Sequence, residues 1–210
     1  HPFFAILWVN PQQVYAILAA TLLIVLIGVA DDLWDLDWTI KLAAQFVAAG
    51  IIAWFGELQI YALPIGGLTV VSSWVSFTLT VFSIVVVMNA INFIDGLDGL
   101  VAGVALIANW VFFVCSYLLV RDIGAGTYFS VASFIAAALV GVCIGFLPLN
   151  WSPAKLFMGD AGALMLGLLM ACSAIAITGQ LDTALLNPEE IGRSDLLGAF
   201  IPILLPIVIV

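Results

Sequence analysis

The segment NAINFIDGLDGL, Asn89 to Leu100, follows the apolar run FSIVVVM and leads directly into another apolar run. In a soluble domain it would be an ordinary polar loop. Here it interrupts a chain of 210 residues that is 65% hydrophobic and 8% charged, with a mean hydropathy of +1.30, whereas soluble domains carry about 25% charged residues. The runs on either side are long and unbroken, which fits membrane-spanning helices and not the alternating ~10-residue strands of a barrel. The expected fold is all-α, a polytopic transmembrane helical bundle. The question raised by Asn89–Leu100 is why two asparagines and two aspartates lie between such segments.

Seven hydrophobic segments are expected, at roughly 14–30, 38–55, 71–89, 99–120, 128–148, 161–180 and 196–210. Each approaches the ~20 residues that span a bilayer, the last being cut short by the end of the chain. No internal repeat or linker divides them, so residues 1–210 read as a single transmembrane catalytic domain. A start at His1 and an end inside IPILLPIVIV suggest an internal fragment. A chain that crosses seven times alternates sides, so the connections at 31–37, 90–98 and 149–160 share one face. That face carries Asp31, Asp32, Asp35, Asp37, Asp95, Asp98 and Asp160, set tightly against span ends beside Gly and Asn. The other face has scattered acids in ordinary loops. Lys41 and Lys155 on the first face balance Arg121 and Arg193 on the second, so the distribution of basic residues does not choose an orientation. Four Lys and Arg against a net charge of −9 exclude a nucleic-acid partner. Cys115, Cys143 and Cys172 lie within apolar runs and read as small buried side chains.

Three stretches on the first face carry the chemistry. VADDLWDLDW (Val29–Trp38) puts adjacent carboxylates at a membrane boundary, where repulsion and lost hydration call for a cation or a raised pKa; a solvated, helix-capping turn is the alternative. Lys41, at the start of the next span, is either a snorkelling anchor or a phosphate partner. In NAINFIDGLDGL, polar groups at 89, 92, 95 and 98 recur every three residues and so share a helical face. Their oxygens suit a hard divalent cation, and Gly96 and Gly99 allow close backbone approach. NWSPAKLFMGDAGALMLG (Asn150–Gly167) leads into the sixth span. Its Asp160 is either an N-cap or a metal ligand at a positively polarised helix end. Phe157 either packs or offers a stacking face, and Asn150 reads as a turn residue. Convergence of three acidic, glycine-flanked loops points to Mg²⁺, with Mn²⁺ as the alternative. Mg²⁺ is usually held by one or two carboxylates together with substrate phosphates, so a phosphorylated substrate at a bilayer surface is expected.

In this order the motifs, NAINFIDGLDGL and FMGDAG above all, resemble the polyprenyl-phosphate N-acetylhexosamine-1-phosphate transferase superfamily, glycosyltransferase family 4, over nearly the whole chain. The resemblance implies transfer of N-acetylhexosamine-1-phosphate from a UDP-amino-sugar to a polyprenyl phosphate with release of UMP. It implies a fold of about ten or eleven spans in a cell membrane, with the active site on the cytoplasmic face. It leaves room for a homodimer. The phospho-MurNAc-pentapeptide branch has lysine three residues after the aspartate pair, where this chain has Asp35, so the GlcNAc-1-phosphate branch is the nearer likeness. The family's early cytoplasmic loop would precede His1, and its histidine-containing late loop would lie beyond Val210. By the same resemblance Asn92 and Asp160 are Mg²⁺ ligands, and Asp31 and Asp32 lie near the reacting phosphates as catalytic residues. Asp95 supports the metal shell, and Lys41 contacts the pyrophosphate. Asp98, Asn150 and Phe157 belong to the uridine pocket, with Phe157 stacking on uracil. A cation-coupled transporter is the rival reading, since intramembrane Asp and Asn also mark ion sites. It would place carboxylates at mid-span and not at span ends on one side. A purely structural scaffold leaves the convergence of three loops unexplained.

Overall fold

The computed structural model describes residues 10–63, 69–70, 72–122 and 130–184. Within them lie six helices: α1 (Pro11–Trp34), α2 (Trp38–Phe55), α3 (Ser73–Ile94), α4 (Leu100–Asp122), α5 (Val131–Asn150) and α6 (Gly159–Ala184). All six contain a stretch long and apolar enough to cross a bilayer. They follow the first six expected spans in order; the seventh, 196–210, lies outside the described residues. The one addition is a two-residue antiparallel pair between α2 and α3, β1 (Ala62–Leu63) with β2 (Thr69–Val70).

The helices extend further toward the polar face than their apolar runs suggest. Helix α1 continues through Asp31 and Asp32 to Trp34. It stops where Asp35 turns left-handed (φ 51°) and returns its N–H to the Asp31 carbonyl at 2.8 Å. Helix α3 carries both Asn89 and Asn92 and ends at Ile94, with Asp95 as its C-cap. The expected four-residue face is therefore cut after Asn92, and Asp98 lies in the turn beyond. Helix α5 passes through Pro148 to Asn150, so Asn150 ends a helix and is not a turn residue. A proline costs a helix one N–H donor, and membrane helices accommodate it where neighbours satisfy the freed carbonyl.

Helix α6 is the axis of the bundle. Of its apolar window 72% is buried, against 28% for α1 and α2, and it packs against α1, α3 and α5. Lipid tails are as apolar as leucine, so close packing of small residues has to supply what the hydrophobic effect does not. Gly28 of α1 rests against the backbone of Ala161, and Gly167 of α6 rests against Met88 of α3, where an added Cβ would come within 2.6 Å of the Met88 Cα. Helices α4 and α5 form the other flank. A knot of Ser116, Ser130 and Ser133 hydroxyls pins them there, with oxygens 2.7–3.1 Å apart. At the end of the bundle remote from the acidic loops, Ser76 donates to the Ile60 carbonyl at 2.8 Å and Thr80 accepts from the Ile60 N–H at 2.9 Å. These bonds tie the chain after α2 back onto α3.

Gly28 lies one turn before Asp31, so its contact with Ala161 sets how closely the acidic end of α1 approaches that of α6. Gly28→Leu is expected to force α1 and α6 apart and to cost about 1–3 kcal/mol. Gly50→Leu on α2, where nothing lies within 4 Å of an added Cβ, is the matched control. Thermal unfolding of the two variants in detergent should show a clear loss for the first and little change for the second.

Candidate active site

One cation organises the acidic end of the bundle. Lys41, one turn into α2, places its Nζ 2.8 Å from Asp31 Oδ2 and 3.2 Å from Asp160 Oδ2. It thereby joins α1, α2 and α6. Asp31 is buried, and its other oxygen accepts from the Leu36 N–H at 2.9 Å. Asn92 of α3 donates through Nδ2 to Asp160 Oδ1 at 3.1 Å, which brings in the fourth helix. Of the two readings open for Lys41, a snorkelling anchor does not describe it: the ammonium turns inward to two carboxylates.

Asp32 settles whether Asp160 caps its own helix. The N–H groups of Asp160 and Ala161 donate to Asp32 Oδ1 and Oδ2 at 3.0 and 3.5 Å, so the cap of α6 is supplied by α1. A carboxylate is favourable at this positive helix end. Gly159 makes the approach feasible. Its φ is +68°, and an added Cβ would lie 2.8 Å from Asp32 Oδ2. Asp160 is therefore not the N-cap; its side chain faces Lys41 and Asn92.

Asp95 stands beside this group. Its carboxyl is raised above the usual Asp value first by burial, then by the charges of Asp160 and Asp32. Asp31 and Asp160 thus share the Lys41 ammonium, while Asp95 feels the charges of Asp160 and Asp32. Among the described residues no group of three or more His, Cys, Asp or Glu side chains is disposed to hold a metal ion. Asn92 and Asp160 lie a hydrogen bond apart, close enough to share a ligand. An amide oxygen, a carboxylate and an excess of negative charge make a donor set that fits a hard divalent cation.

The remaining expected site residues form a second group. Asp98 accepts from the Ala154 N–H at 3.1 Å. Buried Asn150 accepts from the Gly99 N–H at 2.9 Å and donates to the Leu156 carbonyl at 2.9 Å. Both residues staple the turn after α3 to the loop before α6. Phe157, at the end of that loop, is 74% exposed, so packing does not explain it and its ring is open for stacking.

Beside Lys41 a pocket of ≈ 280 Å³ opens between α2, α3 and α6. Lys41, Gln45, Asn89, Asn92 and Asp160 form its polar part, and Trp38, Leu42, Phe93 and Leu164 its apolar walls. Trp38 and Phe93 are 69% and 82% exposed, as expected of aromatics at a membrane boundary. Gln45 was not singled out by the sequence, nor was the pairing of Asn89. The available signal was spacing: Gln45 is a lone amide in an apolar helix, four residues from Lys41 and hence on its face.

A family model for glycosyl transferase family 4 matches residues 14–178. The chain is 36% identical over 197 residues to a decaprenyl-phosphate N-acetylglucosaminephosphotransferase of Mycolicibacterium smegmatis, covering 92% of this chain and 47% of that protein. It is 33% identical over 153 residues to a probable undecaprenyl-phosphate N-acetylglucosaminyl 1-phosphate transferase of Bacillus subtilis, covering 72% of this chain and 40% of that protein. A phospho-N-acetylmuramoyl-pentapeptide-transferase of Halalkalibacterium halodurans is 41% identical over 124 residues, 59% of this chain and 35% of its own length. The chain spans about half the length of the first of these relatives.

The raised carboxyl of Asp95, buried and beside the charges of Asp160 and Asp32, gives a test with a definite sign. A carboxyl raised in the folded state penalises folding once the pH exceeds its unfolded value of 3.8, and the penalty is absent below it. Asp95→Asn should therefore unfold at a higher temperature than the wild type at pH 7 in chelator, and the advantage should shrink to nothing as the pH falls toward 4. A constant difference across that range would mean that charge is not the cause.

Proposed function

The chain belongs to glycosyl transferase family 4, and on that premise we propose that its site takes part in moving N-acetylglucosamine-1-phosphate from a UDP-sugar to a polyprenyl phosphate, with release of UMP. The observation that carries this reading is the convergence of Asp31, Asp160 and Asn92 on and around Lys41 at one end of the bundle, beside a pocket walled by exposed aromatics. The names of the similar proteins agree with it. A transporter reading has no support in the comparisons, and the carboxylates cluster at helix ends. The site is assigned to the cytoplasmic face of a cell membrane on the strength of the family likeness.

The acceptor is amphiphilic, with a prenyl chain in the bilayer and a phosphate at headgroup level. The pocket beside Lys41 suits its phosphate, and Trp38 and Phe93 suit the first prenyl units. In the transfer, an oxygen of the acceptor phosphate forms a bond to the β-phosphorus of the donor. The bond from that phosphorus to the bridging oxygen breaks, and UMP leaves with the electron pair. One phosphoanhydride replaces another, so the main barrier is the approach of anions. Lys41 offsets part of that charge and is held in place by its ion pair with Asp31. Asp32 holds the start of α6 so that Asp160 stays aimed at Asn92. Mg²⁺ held by Asn92 and Asp160, with Asp95 behind them, would neutralise the donor phosphates. Asp98 and Asn150 fix the loop that presents Phe157 to the uracil ring.

The full-length protein, supplied with UDP-N-acetylglucosamine, a polyprenyl phosphate and Mg²⁺, should release UMP. Asp160→Asn should abolish that release with no loss of thermal stability, since Asp32 and not Asp160 caps α6 and a neighbouring repulsion is relieved. Partial recovery at high Mg²⁺ is expected. Wild-type activity in this variant would remove Asp160 from the metal site. Phe157→Ala should weaken the donor roughly 5- to 150-fold, the range for loss of one base–aromatic stack, while the acceptor KM stays unchanged.

A further inference from the structure

The polar part of the pocket contains two residues to which the transfer reading gives no role. Gln45 and Asn89 face each other across α2 and α3. Asn89 Nδ2 donates to Gln45 Oε1, and Gln45 Nε2 donates to Asn89 Oδ1 at 3.5 Å. Asn89 also donates to the Val85 carbonyl of its own helix at 2.8 Å. Gln45 is buried, and its second amide N–H has no partner among the described residues. Gln45 lies four residues after Lys41 on α2, and Asn89 three residues before Asn92 on α3. At a rise of about 1.5 Å per residue, the pair sits roughly 6 Å deeper than Lys41 and roughly 4.5 Å deeper than Asn92. Beyond it the seam between the two helices is aromatic, with Phe46 edge-on to Phe82 and Trp54 edge-on to Phe77.

A reciprocal amide pair differs from aromatic packing in being directional. Rings and aliphatic chains permit α2 to slide or rotate against α3 with small changes in contact. Two amides facing each other in a poorly hydrated seam permit one alignment, because any other leaves polar groups unpaired at a cost. Neither Lys41 nor Asn92 bonds directly to the other. Among the described residues they meet only through Asp160, which each reaches from its own helix, so their relative placement depends on how α2 and α3 align, and the amide pair is the direct side-chain bond between those two helices nearest to both.

We propose that Gln45 and Asn89 are positioning residues: their amide pair sets the register of α2 against α3 and so holds Lys41 and Asn92 at the spacing that an acceptor phosphate requires. This rests on the transfer reading, and it adds that the floor of the pocket controls acceptor affinity without itself touching the reacting atoms.

The test uses the full-length protein in lipid nanodiscs, with UMP release measured as a function of polyprenyl phosphate and, separately, of UDP-N-acetylglucosamine. Gln45→Leu and Asn89→Leu should each raise the acceptor KM roughly tenfold to hundredfold, the range for an amide left unpaired, with the donor KM unchanged. Each should also lower the unfolding temperature. The exchanged pair, Gln45→Asn with Asn89→Gln, keeps both amides and their summed length and should restore the acceptor KM to within about threefold of wild type. The double substitution Gln45→Leu with Asn89→Leu separates register from cohesion. It should recover the unfolding temperature, since replacing both partners by apolar groups is close to neutral, yet leave the acceptor KM raised. Wild-type kinetics in the double leucine variant, or an exchanged pair no better than the single variants, overturns the proposal. If the wild type releases no UMP, the transfer reading falls. The pair is then judged by unfolding alone, where restoration by the exchanged pair supports it and failure to restore refutes it.

Discussion

The contact between the Lys41 ammonium and the carboxylates of Asp31 and Asp160 is what the acidic end of this bundle depends on. Two carboxylates facing each other at the edge of a bilayer would repel and would lose hydration. One ammonium between them removes the repulsion and fixes three helices at a common point. Truncating Lys41 would leave two carboxylates uncompensated, whereas neutralising Asp160 leaves Asp31 and Lys41 as a balanced pair. The cost of the remaining negative charge is visible at Asp95, whose ionisation burial and the charges of Asp160 and Asp32 both resist. The outcome is a site with an excess of negative charge at one end of the bundle.

The apolar part of the molecule serves that geometry. Helix α6 runs through the centre because Gly28 and Gly167 let neighbouring backbones come close on two sides. Asp32 then reaches from α1 to the first N–H groups of α6. Positions of catalytic interest thus rest on backbone-to-backbone contacts, which deform less than long side chains do. The staples made by Asp98 and Asn150 extend the same rigidity to the loop bearing Phe157.

Much of this was legible in the sequence. Six apolar runs gave six helices, because a bilayer leaves a 20-residue apolar segment few alternatives. Asp31, Lys41, Asn92 and Asp160 were identifiable because polar groups at span ends on one face have few other reasons to be there. The helix ends were less legible. Hydrophobicity falls at Asp31 and at Asn92, but the backbone has no cause to stop until Asp35 turns left-handed or Asp95 caps α3. Whether Asp160 caps its own helix was open for a different reason: the answer lies in Asp32, 128 residues away, and no local pattern reports it. The Gln45–Asn89 pair escaped notice because each amide alone resembles a tolerated polar residue, and only the crossing of α2 with α3 makes them a pair.

The short separation of Asp31 and Lys41, ten residues across one tight connection, bears on how the protein is made. An aspartate near the end of one span is a burden during insertion if its only counter-charge arrives later. Here the counter-charge arrives with the very next helix. The α1–α2 hairpin can enter the bilayer with this one ion pair already closed. Asp160 follows more than a hundred residues later and joins an ammonium already in place. Asp160, at the first turn of α6, thus meets an ammonium that Asp31 already holds.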